Sequence, residues 1–307
     1  MRIVFMGTPD YAAVTLKKLI EEKHDIVAVF AQPDKPVGRK QVMTPPATKV
    51  LALQHNIPVY QPISLRDGSA YDTLKEINPD VIVVVAYGKI LPKEILDLPK
   101  YGCINGHASL LPKLRGASPI QWAIVTGEAK TGVSTMLMDE GMDTGDILET
   151  VETNVGEDET AEQLFDRLAV LSADLMVSTL KSAQNGTLKP KKQNEADATY
   201  APIIKKEMAH LDFNKTADEI CNSVRGFYSW PCAFCFINGK RIKVISAKKS
   251  YLSSCECGVV IDNDNKIIIS CSDGSVELVT VQPEGAKVMS AQMMLNGHKI
   301  LKGTVVQ

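Results

Sequence analysis

A chain of 307 residues with 45% apolar and 23% charged residues and a formal net charge of −2 can bury a sizeable core and has the make-up of an ordinary soluble globular protein. The near-neutral balance excludes a uniformly basic nucleic-acid coat, so any contact with nucleic acid has to run through local patches. The longest apolar run, Val81 to Ala86, is far shorter than the roughly 20 residues a membrane-spanning helix needs, and the N-terminus does not resemble a signal peptide; with an odd cysteine count, reduced thiols in the cytoplasm are expected.

Ile3 to Gly7 is a short apolar run ending in glycine, and helix-spaced apolar residues follow from Tyr11 to Leu19. Further apolar runs at Ile26–Phe30 and Val81–Ala86 alternate with helix-like segments at 47–55 and 69–76. Apolar runs without alternation suit strands covered on both faces, which predicts an α/β domain around a Rossmann-like, mostly parallel sheet. Strands are also predicted at Tyr101–Ile104 and Gly132–Leu137, and a long amphipathic helix over Thr160–Leu180 closes the domain, placed at residues 1–188. Residues 189–206 are polar, proline-bearing and aperiodic, as a surface linker is. Residues 207–307 open with a helix at Ala217–Val224. Short β-rich runs follow at Ala233–Ile237, Lys240–Ile245, Gly258–Ile261, Lys266–Cys271 and Val276–Val281, the pattern of a small barrel of the OB-like kind.

Three side chains stand out: Asn105 and His107, two apart in an extended segment and so on one face, and Asp143. An amide, an imidazole and a carboxylate suffice to move a formyl group onto an amine without a metal, because the tetrahedral intermediate needs an oxyanion donor and the nitrogen has to lose a proton. On spacing alone, a hairpin turn at Asn105-Gly106 with a surface histidine fits equally well. Gly7-Thr8-Pro9-Asp10 sits where a strand meets a helix, suited equally to a helix cap and to substrate contact, and it lacks the spaced glycines of a dinucleotide site. Cys232-x-x-Cys235 and Cys255-x-Cys257 have no histidine at ligand spacing, so no metal is expected. Trp122 and Trp230 are expected to pack rather than to stack on bases.

The wider pattern Asn-x-His-x-Ser-Leu-Leu-Pro-x-x-Arg-Gly over 105–116, followed by Asp-x-Gly-Met-Asp-Thr-Gly-Asp over 139–146, resembles the folate-dependent formyltransferase family. Gly7 to Ala12, Gln32 to Arg39, Ala86 to Pro92, Pro119 to Gln121, Phe227 to Pro231 and Met289 to Gln292 carry the similarity from end to end, toward the branch that formylates an aminoacyl-tRNA. The resemblance implies Asn105, His107 and Asp143 as catalytic residues. It implies folate contacts from Ser109, Leu110, Leu111 and Pro112, with Tyr87, Gly88, Ile90, Leu91 and the stretch Leu137–Met142 lining the pteridine pocket. The implied donor is 10-formyltetrahydrofolate, and the implied acceptor is the α-amine of methionine on initiator tRNA, which would place the enzyme in translation initiation. Residues 32–46 form a long Pro- and Gly-rich loop, and the resemblance assigns its Lys35, Arg39 and Lys40 to the tRNA acceptor end.

In the second domain Lys240, Arg241, Lys243, Lys248 and Lys249 read by themselves as a solvated strand face and, given the resemblance, as a phosphate-contacting stripe. Gly106 departs from the family, which usually has an apolar side chain between the catalytic amide and imidazole; glycine there predicts a looser strand end. The competing functions are formylation of an aminosugar nucleotide or another small amine such as glycinamide ribonucleotide, and RNA binding without catalysis. A monomer is expected.

Overall fold

The computed structural model describes residues 1–38, 40–252, 256–297 and 300–307. Its elements begin with β1 (Arg2–Gly7), α1 (Asp10–Glu21), β2 (Asp25–Phe30), the hairpin β3 (Lys35–Val37) and β4 (Val42–Thr44), α2 (Ala47–Gln54) and β5 (Val59–Tyr60). They continue with α3 (Ser69–Ile77), β6 (Val81–Val85), α4 (Lys93–Leu96), β7 (Cys103–His107), α5 (Pro119–Val125), β8 (Lys130–Leu137), β9 (Ile147–Asn154) and α6 (Ala161–Gln184). After them come α7 (Ala217–Gly226), β10 (Phe234–Ile237), β11 (Lys240–Ser250), β12 (Val260–Asp262), β13 (Ile267–Cys271), β14 (Gly274–Pro283), β15 (Met289–Ser290) and α8 (Ala291–Gly297).

The first sheet has the order β5-β2-β1-β6-β7-β8-β9. Its pairings from β5 through β7 are parallel, and β8 then runs antiparallel to β7. The parallel part follows from sequence physics: Ile3, Val4, Phe5, Val81, Ile82 and Val83 are all fully buried, so neither face of β1 or β6 meets water. Chain reversal puts the strand order's switch between β1 and β6, and ligands of open α/β sheets bind outside the C-terminal ends of such strands.

The second sheet is antiparallel, in the order β10-β11-β14-β13-β12 with β15 added to β14. Its core is Ile242, Val244, Val260, Ile267, Ile269, Val276, Leu278 and Val281, closed on one side by Ile220 and Val224 of α7. Thr216 and Glu219 form a capping box that starts α7 where the apolar spacing begins. The C-terminal residues then bridge the sheet's two outer strands: Val306 pairs with Ile237, and Val305 pairs with Val259 just ahead of β12.

The chain divides into two compact units. One comprises 1–116, 131–154 and 165–201; the other comprises 117–130, 155–164 and 202–307. The second unit thus takes in α5 as well as the β-rich region, and Trp122 of α5 packs with Ile204, Phe227 and Phe234 while its indole N–H donates to the Pro202 carbonyl at 2.8 Å.

Gly132 in β8 marks a close approach in the first sheet. A Cβ there would stand 2.1 Å from the Val151 carbonyl oxygen and 2.6 Å from Leu110 Cδ2. Gly132→Ala is expected to lower the unfolding free energy by about 1–3 kcal/mol, as overpacking of a close-fitted interior does. An unchanged denaturant midpoint would show that β8 and β9 can part at no cost.

Candidate active site

Strand β7 delivers both Asn105 and His107. It pairs with β6 through Asn105–Val84 and with β8 through Asn105–Met136, Gly106–Thr135 and His107–Ser134. The hairpin alternative at Asn105-Gly106 is therefore overturned: both residues lie inside a paired strand, which extends past the predicted Tyr101–Ile104. Nor is β7 loosened by Gly106, whose ladder is continuous. Beside it, where a side chain would go, stand Ser172 Oγ at 3.0 Å and Met176 Cε at 3.4 Å from the ideal Cβ position, so α6 fills the space.

The chain leaving β7 is fixed by Ser134. Its hydroxyl donates to the Ser109 carbonyl at 2.8 Å and accepts the Leu111 N–H at 3.1 Å, while Ser109 Oγ donates to the Lys113 carbonyl at 2.6 Å. Ser109 is fully buried, so its polar groups hold the turn together. Leu111 is buried too; Leu110 and Pro112 are partly exposed.

The turn then brings Leu114 and Gly116 back to the strand end. The Leu114 carbonyl accepts from His107 Nε2 at 3.0 Å. A carbonyl cannot donate, so Nε2 carries the proton and Nδ1 is left facing Asp143, whose Oδ2 lies 3.7 Å away. Asp143 occupies left-handed backbone with φ 54°. Its Oδ2 accepts the Gly116 N–H at 2.8 Å, and its Oδ1 is 3.5 Å from Asn105 Nδ2. Gly116 has to be glycine: its φ is 116°, and a Cβ would meet the Ala201 carbonyl oxygen at 2.8 Å. Asn105, His107 and Asp143 thus converge at the C-terminal end of β7, with His107 only 6% exposed.

Gly88, Ile90 and Leu91 follow the neighbouring strand β6. Gly88 has φ 79°, Ile90 is 68% exposed and Leu91 is buried. Tyr87 is buried as well, and burial pushes its phenol up to about 12. Thr8 and Gln32, from the ends of β1 and β2, donate to the Tyr87 carbonyl at 3.1 Å each, and the Gln32 amide also reaches the Gly88 carbonyl at 3.2 Å. Thr8 therefore holds strand ends together, and Pro9 occupies the capping position of α1 without a side-chain cap. Leu137 ends β8, and Met142, 63% exposed, sits beside Asp143.

The predicted basic loop contains the exposed hairpin β3–β4, a regular element the sequence reading missed, with Lys35 in β3 and Lys40 at the turn. Arg39 lies outside the described residues. In β11, Lys240 is exposed, and Arg241 and Lys243 lie on the face opposite Ile242 and Val244. Arg241 stacks over the Phe234 ring at 3.8 Å from its centroid. Lys248 pairs with Glu277 at 3.5 Å and Lys249 with Asp218 at 2.8 Å, so the cluster that carries no acid in sequence meets two acids in space.

Cys235 is fully buried, and burial pushes its thiol up to about 12. No group of three metal-ligating side chains occurs among the described residues, from which Cys255 is excluded. Trp230 is 55% exposed, unlike the packed Trp122, so the packing expected of it is not seen.

Against known proteins, the Formyl transferase family model matches residues 1–180, and the model of the Formyl transferase C-terminal domain matches residues 203–299. The chain belongs to the formyl transferase family. Methionyl-tRNA formyltransferase of Caldanaerobacter subterraneus subsp. tengcongensis is 47% identical, with all of both chains covered. That of Citrifermentans bemidjiense is 46% identical over 99% of this chain and 95% of its own. Among solved structures, the sugar 3N-formyl transferase WlaRD, with dTDP and 5-N-formyl-THF, superposes with TM-score 0.68 at 22% identity, covering 94% of this chain and 99% of its own. HypX from Aquifex aeolicus in complex with tetrahydrofolic acid gives TM-score 0.61 at 15% identity over 99% of this chain and 50% of its own, which speaks for the fold alone. No helix among the described residues of this formyltransferase is long and apolar enough to cross a membrane.

Removing the Asp143 side chain strands the Gly116 N–H and leaves a residue without a polar side chain in left-handed backbone. Asp143→Ala is expected to cost about 1–3 kcal/mol of stability. Asp143→Asn, which keeps an acceptor and tolerates that backbone, should cost clearly less. Equal melting temperatures for the two variants would rule out the Gly116 contact as the anchor.

Proposed function

We propose that the protein transfers the formyl group of 10-formyltetrahydrofolate to the α-amine of methionyl initiator tRNA, supplying the starting aminoacyl-tRNA of translation, in the cytoplasm and as a monomer. The observation that carries this reading is the convergence of Asn105, His107 and Asp143 at the end of β7 in a chain similar over its full length to methionyl-tRNA formyltransferases. The folate-bound neighbours support the donor class.

The amine adds to the formyl carbon, giving a tetrahedral intermediate that expels the folate nitrogen. Asn105 Nδ2 is the amide donor available to the developing oxyanion. His107 is tethered through Nε2, so Nδ1 is its working nitrogen, stabilising the oxyanion or protonating the departing nitrogen when charged. Asp143, whose Oδ2 lies 3.7 Å from His107 Nδ1, is the acceptor for the proton the amine loses, passed through a water. For the donor, Ile90, Met142 and Gly88, which are exposed, and Leu110 and Pro112, which are partly exposed, are the residues assigned to contact the pteridine, and the buried Tyr87, Ser109, Leu111 and Leu91 are assigned to support them. For tRNA, Lys35 and Lys40 on the hairpin region and Lys240, Arg241 and Lys243 on β11 are the cations assigned to phosphate, together with Arg39. Lys248 is the weaker candidate because it already has Glu277.

Radiolabelled formyl donor offered in parallel to charged initiator tRNA, glycinamide ribonucleotide and an aminosugar nucleotide should label only the tRNA. Asn105→Ala and His107→Ala should each slow transfer on the order of 10²–10³-fold. A His107→Ala variant as fast as the parent would remove imidazole from the mechanism.

Only the neutral amine attacks, and an α-amino group titrates at roughly 7.7–8.0 or lower when esterified. Below that value the protonated form dominates, so transfer should slow as pH falls through neutrality. A rate that is flat from about pH 5 to 8 would exclude amine attack as the limiting step.

A further inference from the structure

The segment from 191 to 201, predicted as a surface linker, is bonded to both catalytic loops. Lys191 exchanges two backbone hydrogen bonds with Ile147, at 2.8 and 2.9 Å, which sets the segment beside the end of the Asp143 loop. Gln193 then donates from Nε2 to two carbonyls of that loop, Asp143 at 2.8 Å and Gly145 at 2.7 Å. Its Oε1 accepts from Arg115 Nε at 3.0 Å. The guanidinium on one side and two carbonyls on the other fix which end of the amide is oxygen. Arg115 also forms a two-pronged pair with Glu195, at 2.8 and 2.9 Å, and its side chain is wholly buried whereas that of Glu195 is 69% exposed.

The backbone repeats the tie. Arg115 N–H donates to the Thr199 carbonyl at 2.9 Å, Ala201 N–H donates to the Arg115 carbonyl at 2.7 Å, and Leu114 N–H donates to Thr199 Oγ1 at 2.9 Å. Arg115 lies between the two residues whose backbone holds the chemistry, the Leu114 carbonyl on His107 and the Gly116 N–H on Asp143. Asp143 sits in left-handed backbone, which an L-residue leaves unless surrounding contacts over-determine it.

We propose that Gln193, with the Arg115–Glu195 pair behind it, is a positioning residue that holds the Asp143 carboxylate at the distance from His107 where it can take the amine's proton. This rests on the reading of Asp143 as proton acceptor. It separates the roles of the network: Asp143 exchanges the proton, and Gln193 touches no reacting atom but determines where that carboxylate stands.

Gln193→Leu keeps the side chain's bulk and removes all three hydrogen bonds. Because a misplacement of about 1 Å at a reacting group can cost on the order of 10²-fold in rate, kcat for formylation of charged initiator tRNA should fall about 10–100-fold, with KM for both substrates within about twofold. The decisive measurement is a double-mutant cycle with Asp143→Asn. If Gln193 acts through the carboxylate, adding Gln193→Leu to Asp143→Asn should slow turnover by less than about threefold, whereas independent effects multiply. Glu195→Ala, at an exposed side chain, folds without a buried vacancy and should reduce kcat about 3–10-fold by loosening Arg115, again with KM unmoved; Glu195→Gln should recover part of it.

Full kcat in Gln193→Leu and Glu195→Ala, a loss carried by KM, or multiplicative effects with Asp143→Asn would each overturn the proposal. Failure of the underlying reading has a different signature, an Asp143→Asn enzyme that turns over normally.

Discussion

One hydrogen bond organises the site: the Gly116 amide to the Asp143 carboxylate. It ties together two stretches that the sheet brings close only because β7 and β8 are neighbours. A carboxylate accepting from a backbone amide is a charge-assisted bond, roughly twice as strong as a neutral one, and here it works in a largely buried setting. The dependence runs both ways. Gly116 points its N–H at Asp143 from a backbone conformation that favours glycine, and Asp143 meets it from left-handed backbone. The left-handed backbone of Asp143 is thus held by this contact together with the Gln193 bond to its carbonyl, the kind of strain that concentrates at functional sites.

The placement of His107 follows from the same turn. Its ring is anchored through Nε2 to a main-chain carbonyl rather than by the carboxylate across the site. A histidine held by its carboxylate partner would lose its orientation when the carboxylate changed charge. One held by a carbonyl keeps its orientation through the proton cycle, leaving Nδ1 free to respond. The turn itself needs Ser109, Leu111 and Ser134 inside the protein, so much of the Ser-Leu-Leu-Pro signature is conformational. That the family pattern is long around Asn105 and His107 has a physical reason: several of its residues, Ser109, Leu111 and Leu114 among them, build the turn.

The parallel sheet was readable because each of its central strands is an unbroken apolar run, and Ala47–Gln54, Ser69–Ile77 and Ala217–Gly226 announced themselves by helical spacing. Strand β9 was not, since Glu149, Glu152 and Thr153 break its apolar character. The hairpin β3–β4 went unseen because all six of its residues are exposed, so no buried face imposes alternation. The bonds made by Gln193 went unseen for the same kind of reason: they join polar groups to residues some 50 positions away, and polarity in a sequence carries no partner. Asn105, His107 and Asp143 were legible as types from the chemistry and as positions from the family pattern. Leu114 and Gly116 could not be found that way, because they act through backbone atoms that every residue has. The lysines of β11 looked unopposed until folding brought Glu277 and Asp218 beside them, a long-range neutralisation that charge counting along the chain cannot register.

The tail that joins Ile237 to Val306 and Val259 to Val305 has a consequence for the antiparallel sheet. Its strands would otherwise present two rows of unpaired amides and carbonyls, ready to recruit the same strands of another molecule. With the tail laid across both borders, lateral growth by strand addition finds no template there. A handful of main-chain bonds made by residues 303–307 thus cap the two borders of the sheet.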